Sequence, residues 1–315
     1  MSFWKRMNIK WDKDSISTWS SPRKTLYILF PLLVYFLAHD MAEVLLWAGL
    51  NLFMENSGET VAAFLQQNAY TVRGIIYGIA ICLGVAAIGQ GVLAEIDGRP
   101  VTFDGEGEPV KKKQPFLTVE TSWQVKKYMF LGALAFLSSF GLNLLFSVTG
   151  FTESSQAFAQ TARAQFGVDF LIGLILYGLL APIAEEAVFR GLIYNRMKRC
   201  FRYGIALFVS ALLFGCYHGN LVQAVYGTIL GLLMAYLYEL YGSFVAPVLF
   251  HGVANVSVYV MGYCQGFAGM DKNIGIAASA VSLAGAVGCF FYIKKCIKEE
   301  ENKKKSQGII RKIEN

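Results

Sequence analysis

The chain alternates long apolar runs with short polar joints. The runs fall at about 25–49, 73–95, 128–149, 168–195, 203–218, 221–241, 244–262 and 274–295. Most have the roughly 20 residues that a helix needs to cross a bilayer. Inside hydrocarbon the backbone must bond to itself, which leaves helices for such runs. The pattern therefore predicts an all-α, polytopic membrane protein with about eight transmembrane helices. The run at 203–218 is too short to cross the whole core, so Gly219 is expected to turn the chain early, inside a buried or wet cavity.

Composition points the same way. The 315 residues are 55% hydrophobic and only 16% charged, against about 25% charged in soluble domains. The six cysteines include no C-x-x-C pair and read as small packing residues. Residues 1–24 are polar, and no cleavable signal peptide is expected there.

The placement of charge sets an orientation. Residues 1–24, the loop 96–127, the stretch Arg190–Arg202 and the tail from Lys294 hold all the Lys and Arg except Arg73, Arg163 and Lys272. By the positive-inside rule both termini are cytoplasmic, which requires an even number of spans. A plasma membrane, of a bacterium, is the expected location. The net charge of +6 is absorbed by this asymmetry, so no nucleic-acid partner is called for. Short β-like runs flank "DGEGEP" in the loop 96–127 and suggest a small hairpin. "KKK" at 111–113 reads as a topology determinant, and the tail from 298 as a solvated, charge-mixed extension.

Against this apolar background the polar residues stand out. "APIAEEAVFRGLIYNRMKR" places Glu185 and Glu186 in a run built for lipid, and all three histidines, His39, His218 and His251, lie in apolar segments. Ionisable groups at such depth cost several kcal/mol unless paired or functional. Counting from the turn near residue 201, Glu185 and His218 each lie about 25 Å along their helices. From the turn near 242, Asn255 lies about 20 Å along and His251 about 13 Å. Glu185, His218 and Asn255 are thus expected to share one layer, with His251 a turn nearer the cytoplasm. His251 and Asn255 are i, i+4, as are Glu186 and Arg190, the latter in the favourable order for an ion pair. Arg196 to Arg199 are expected to project into water. His39 and Glu43, also i, i+4, are expected to satisfy each other or to meet Arg73, as structure rather than function.

Three elements stand in order: "EEAVFR", "FGCYH" and "HGVAN". Together they resemble the signature of the CAAX protease and bacteriocin-processing (CPBP, or Abi) family, which includes the type II CAAX prenyl endopeptidases. The resemblance covers roughly residues 125–265. It divides the chain into a cytoplasmic segment 1–24, two extra helices and a loop over 25–124, a protease core over 125–265, a last helix over 266–297 and the charged tail 298–315. It implies that Glu185 is the general base that activates a water, that His218 helps to hold that water, and that His251 and Asn255 form an oxyanion hole. Glu186 and Arg190 complete the first motif in supporting roles, structural or substrate-positioning.

The chemistry can be argued beside the resemblance. Peptide hydrolysis by water needs a base, a stabiliser for the oxyanion and a proton for the leaving amine. A glutamate, two imidazoles and an amide supply these without a serine or cysteine nucleophile. Cys216, two residues from His218, faces another way on a helix and makes a poor nucleophile. Glu185, His218 and His251 are also a conceivable zinc ligand set, but the helical H-E-x-x-H motif is absent and Asn255 suits an oxyanion hole better. The metal-free arrangement is therefore expected, with no cofactor. The expected function is an intramembrane endopeptidase with a cytoplasm-facing cavity, acting on a peptide or a membrane-anchored protein. The alternative is a non-catalytic scaffold or bacteriocin self-immunity protein of the same fold, working through a membrane partner. The intact motif set favours catalysis. A transporter would want broken helices in matching halves, and no such repeat is present.

Overall fold

The computed structural model describes residues 16, 18–97, 122–264 and 269–313. The expected hairpin around "DGEGEP" and the "KKK" run lie outside the described residues. The elements are α1 (Ser21–Glu55), α2 (Glu59–Gln67), α3 (Ala69–Asp97), α4 (Ser122–Val148), α5 (Gln156–Phe166), α6 (Phe170–Cys200), α7 (Tyr203–Tyr217), α8 (Leu221–Tyr241), α9 (Val245–Tyr263) and α10 (Lys272–Ile313). No strand occurs among the described residues. The protein is all-α and polytopic.

Among the described residues, seven helices are long and apolar enough to cross a membrane: α1, α3, α4, α6, α8, α9 and α10. The eighth apolar run is α7. Its 15 residues reach about 22 Å, short of a hydrocarbon core of about 30 Å. It ends at His218, and Gly219 follows with φ +72°, a left-handed conformation that glycine adopts at no steric cost. The chain turns there as its sequence predicts. Asn220 then caps α8, its side-chain oxygen accepting from the Gln223 N–H over 2.9 Å. The antiparallel α7 and α8 lie backbone to backbone. A Cβ on Gly215 would collide with the Ala224 carbonyl oxygen, a small-residue contact typical of membrane helices.

Helix α6 is the centre of the bundle and packs against α1, α3, α7 and α9. Every residue from Ala187 to Tyr194 is buried, as befits a helix enclosed on all sides. It departs twice from α-geometry, in π-helical turns at Leu176–Leu180 and Ala187–Tyr194. Helices α1 and α3 pack together on one flank, and α4 and α10 on another. Leu37, Leu45 and Leu52 on α1 are exposed, as lipid-facing residues should be.

Four expectations change. Arg196 to Arg199 do not all project into water: Arg196 is 1% exposed and Lys198 9%. Glu95 on α3 takes both Arg196 Nε at 3.1 Å and Arg199 Nη2 at 2.6 Å, and Glu239 on α8 takes Lys198 Nζ at 2.5 Å. Opposite charge on neighbouring helices makes burial tolerable. Of the six cysteines, Cys82, Cys216 and Cys264 are exposed rather than packed inside. His39 pairs with Asp40 over 2.9 Å, not with Glu43. Two helices escape a reading based on hydropathy, α2 and α5, because neither carries a long apolar run.

Candidate functional site

Glu185 and Glu186 are neighbours on α6, so their side chains leave the helix about 100° apart. Glu185 lines a cavity of about 450 Å³ together with His218, His251 and Asn255. Glu186 is fully buried behind it. The four residues assigned to chemistry by the sequence thus share one cavity, while the supporting pair lies in its wall.

That wall is tightly bonded. Glu186 Oε1 accepts from Arg190 Nη1 over 2.8 Å and from His251 Nδ1 over 2.9 Å. Arg190 Nη2 donates to the Gly231 carbonyl over 3.0 Å, and its guanidinium lies over the Phe214 ring at 4.6 Å. One guanidinium is thus fixed by a carboxylate, a carbonyl and an aromatic face. Glu186 in turn sets the rotation of His251, whose Nε2 stands 3.7 Å from Glu185 Oε2.

The imidazoles are oriented differently. His218 Nδ1 meets the Phe214 carbonyl at 3.0 Å. A carbonyl only accepts, so Nδ1 carries the proton, and neutral His218 offers its Nε2 lone pair. His251 likewise donates Nδ1–H to a carboxylate. As an imidazolium it also has an Nε2–H to donate toward the cavity.

Asn255 is placed by the irregularity in α6. In the first π-turn the Ala181 N–H reaches back to the Leu176 carbonyl. The next residue, Pro182, has no N–H. The Tyr177 carbonyl is left without its helical donor and accepts from Asn255 Nδ2 over 3.1 Å. One amide hydrogen is engaged there, and the second remains for the cavity. A π-turn beside functional side chains is a recurrent arrangement.

Several lining residues carried no signal in the sequence. Tyr77 of α3, Tyr177 of α6 and Tyr217 of α7 line the cavity, yet tyrosines in apolar runs are common at membrane interfaces and mark no site by themselves. Helix α5 contributes Phe158, Thr161 and Gln165. Helix α3 takes part as well: Tyr70, Arg73 and Gly74 belong to the same lining. Cys216 is exposed and outside the lining.

The lining gathers towards one end of the bundle. The residues come from the start of α3, the end of α4, α5, the first half of α6, the end of α7, the first two-thirds of α8 and the middle of α9. All these lie at the end of the bundle opposite the basic segments. Among the described residues, no three His, Cys, Asp or Glu side chains come together in a way that could hold a metal ion.

Fold and site together define an all-α, multi-pass membrane protein with a half-buried carboxylate, two imidazoles and an amide around one cavity. Residues 167–257 match the family described as "Type II CAAX prenyl endopeptidase Rce1-like". Over 146 residues the chain is 25% identical to the "Putative membrane peptidase YdiL" of Bacillus subtilis (strain 168), an alignment covering 39% of this chain and 58% of that relative. The chain thus spans less than two-thirds of the curated relative it matches. No solved structure matches it. The two matches support a relationship to the CAAX protease family. All three signature elements lie within residues 167–257.

Proposed function

We propose that this protein is an intramembrane endopeptidase that hydrolyses a peptide bond with water activated by Glu185. The observation that carries the reading is the convergence of Glu185, His218, His251 and Asn255 on one cavity, from three separate stretches of sequence. A water between Glu185 and His218 Nε2 gives its proton to the Glu185 carboxylate as its oxygen bonds to the scissile carbonyl carbon. The oxyanion takes hydrogen bonds from protonated His251 Nε2–H and from the free amide hydrogen of Asn255, donors worth about 3–4 kcal/mol each in other proteases. The C–N bond then breaks, and Glu185 returns the proton to the leaving nitrogen. No metal takes part in this sequence. The expected setting is the plasma membrane of a bacterium, with a peptide or membrane-anchored protein as substrate.

The test is a comparison of protein termini across cells producing wild type, Glu185→Ala and His218→Ala. Both variants should insert and fold normally and accumulate the same uncut precursor. If all three cultures process everything alike, the chain is not a protease, and the non-catalytic scaffold of the same fold takes its place.

A further inference from the structure

The two ends of the bundle are built differently. At one end the cavity reaches the surface between α3 and α5, where Tyr70, Arg73 and Thr161 are found, Tyr70 and Thr161 exposed. At the other, Glu186 and Arg190 form a buried layer beneath Glu185. Below that, Arg196 and Arg199 close on Glu95, and Lys198 on Glu239. No lining residue of the cavity comes from this second end. Passage through it would separate buried ion pairs, each costing roughly 3–5 kcal/mol when one partner is left alone.

The two ends also differ in charge. The termini and the loop 96–127, which join the helices at the sealed end, hold six, eight and six of the 28 Lys and Arg. The joints at the open end hold few. The positive-inside rule therefore puts the sealed end in the cytoplasm, even with the buried Arg190, Arg196 and Lys198 left out of the count.

Resting on the proteolytic reading above, we infer that the site takes its substrate from the extracytoplasmic side. The substrate class is a peptide segment that has already crossed the membrane: an exported peptide, or the outer juxtamembrane stretch of a membrane protein. It enters past α5 and reaches Glu185 near the middle of the 31-residue α6. Phe146, Phe158, Phe166 and Val258 wall the way in, so apolar side chains are favoured beside the scissile bond. A cytosolic C-terminus would meet the closed end.

The experiment has two arms. Thr161→Cys, at the mouth, and Lys298→Cys, towards the far end of α10, are each placed in a chain whose six native cysteines are replaced, and intact cells are treated with a membrane-impermeant maleimide. The thiol introduced at position 161 should be labelled in intact cells, and the one at position 298 only after permeabilisation. A chain that keeps Cys264 alone of the six supplies a second reading, since this exposed thiol at the open end should be labelled from outside. In the second arm, the precursor that accumulates with Glu185→Gln is exposed to protease added outside the cells. It should be digested if membrane-anchored, or recovered from the medium if it is a free peptide. Labelling at position 161 or at Cys264 only after permeabilisation overturns the inference, as does a precursor shielded from external protease, and both leave the proteolytic reading standing. If no precursor accumulates, that reading fails and the substrate class falls with it, whichever way the labels point.

Discussion

His251 stands between two consecutive glutamates of α6, donating from Nδ1 to Glu186 over 2.9 Å and presenting Nε2 to Glu185 at 3.7 Å. One helix therefore supplies both the group that orients this imidazole and the group that shares the cavity with it. The adjacent carboxylates divide the work: Glu186 is spent on Arg190 and His251, while Glu185 faces the cavity. The first prediction follows from that division. Glu186→Ala leaves the guanidinium of Arg190 buried without its counter-charge, at a cost of about 3–5 kcal/mol. Glu185→Gln removes no such partner. Thermal unfolding in detergent should show a marked drop for Glu186→Ala and little change for Glu185→Gln.

Asn255→Ala removes an amide that touches both the α6 backbone and the cavity. Loss of one oxyanion donor lowers kcat by about 10²–10³-fold. We expect processing to fall by that order, with the helix content of the protein unchanged by circular dichroism. Asn255→Gln, one methylene longer, should not restore it, because its amide no longer matches the distance to the Tyr177 carbonyl.

The contact between α7 and α8 offers a prediction outside the polar residues. Gly215→Val forces a side chain into the Ala224 carbonyl and Thr228, both of which an added Cβ would already strike. Overpacking of this kind costs about 1–3 kcal/mol. Its larger effect is to push apart the hairpin that ends at His218. Processing should be lost although every polar residue is still present, as a count of cleaved termini would reveal.

The sealed end can be opened without touching the cavity. Glu95→Ala leaves Arg196 and Arg199 without their shared carboxylate. It should lower the unfolding temperature, while the cleavage rate of the protein that remains folded stays near wild type. A selective loss of rate at unchanged stability would show that this end takes part in the chemistry.

Much of this arrangement was legible in the chain. Hydropathy alone marks the long helices, because a bilayer demands a continuous apolar run. The spacing of Glu185, His218 and Asn255 from their turns predicts a shared depth, since rise per residue is constant along a helix. The i, i+4 offset of Glu186 and Arg190 predicts their pairing, and they pair at 2.8 Å. What escaped was what depends on neighbours distant in sequence. Arg196 and Lys198 look like solvated end charges until Glu95 and Glu239 are seen beside them. The carbonyl that holds Asn255 is free only because Pro182 meets a π-turn. Tyr77 and Tyr217 are indistinguishable by composition from lipid-facing aromatics. Which end the cavity opens to depends on α5, too short and too polar for hydropathy to register.

The central claim is that Glu185, unaided by metal, activates the water that cuts the peptide. Its most direct test is cleavage of the accumulated precursor by purified protein in detergent, with and without a chelator. Wild type should cut at the site used in cells, at the same rate after chelation and dialysis. Glu185→Gln, folded to the same unfolding temperature, should leave the precursor whole. Cleavage by Glu185→Gln at the wild-type rate, or loss of wild-type activity on chelation that returns with added zinc, would contradict the account.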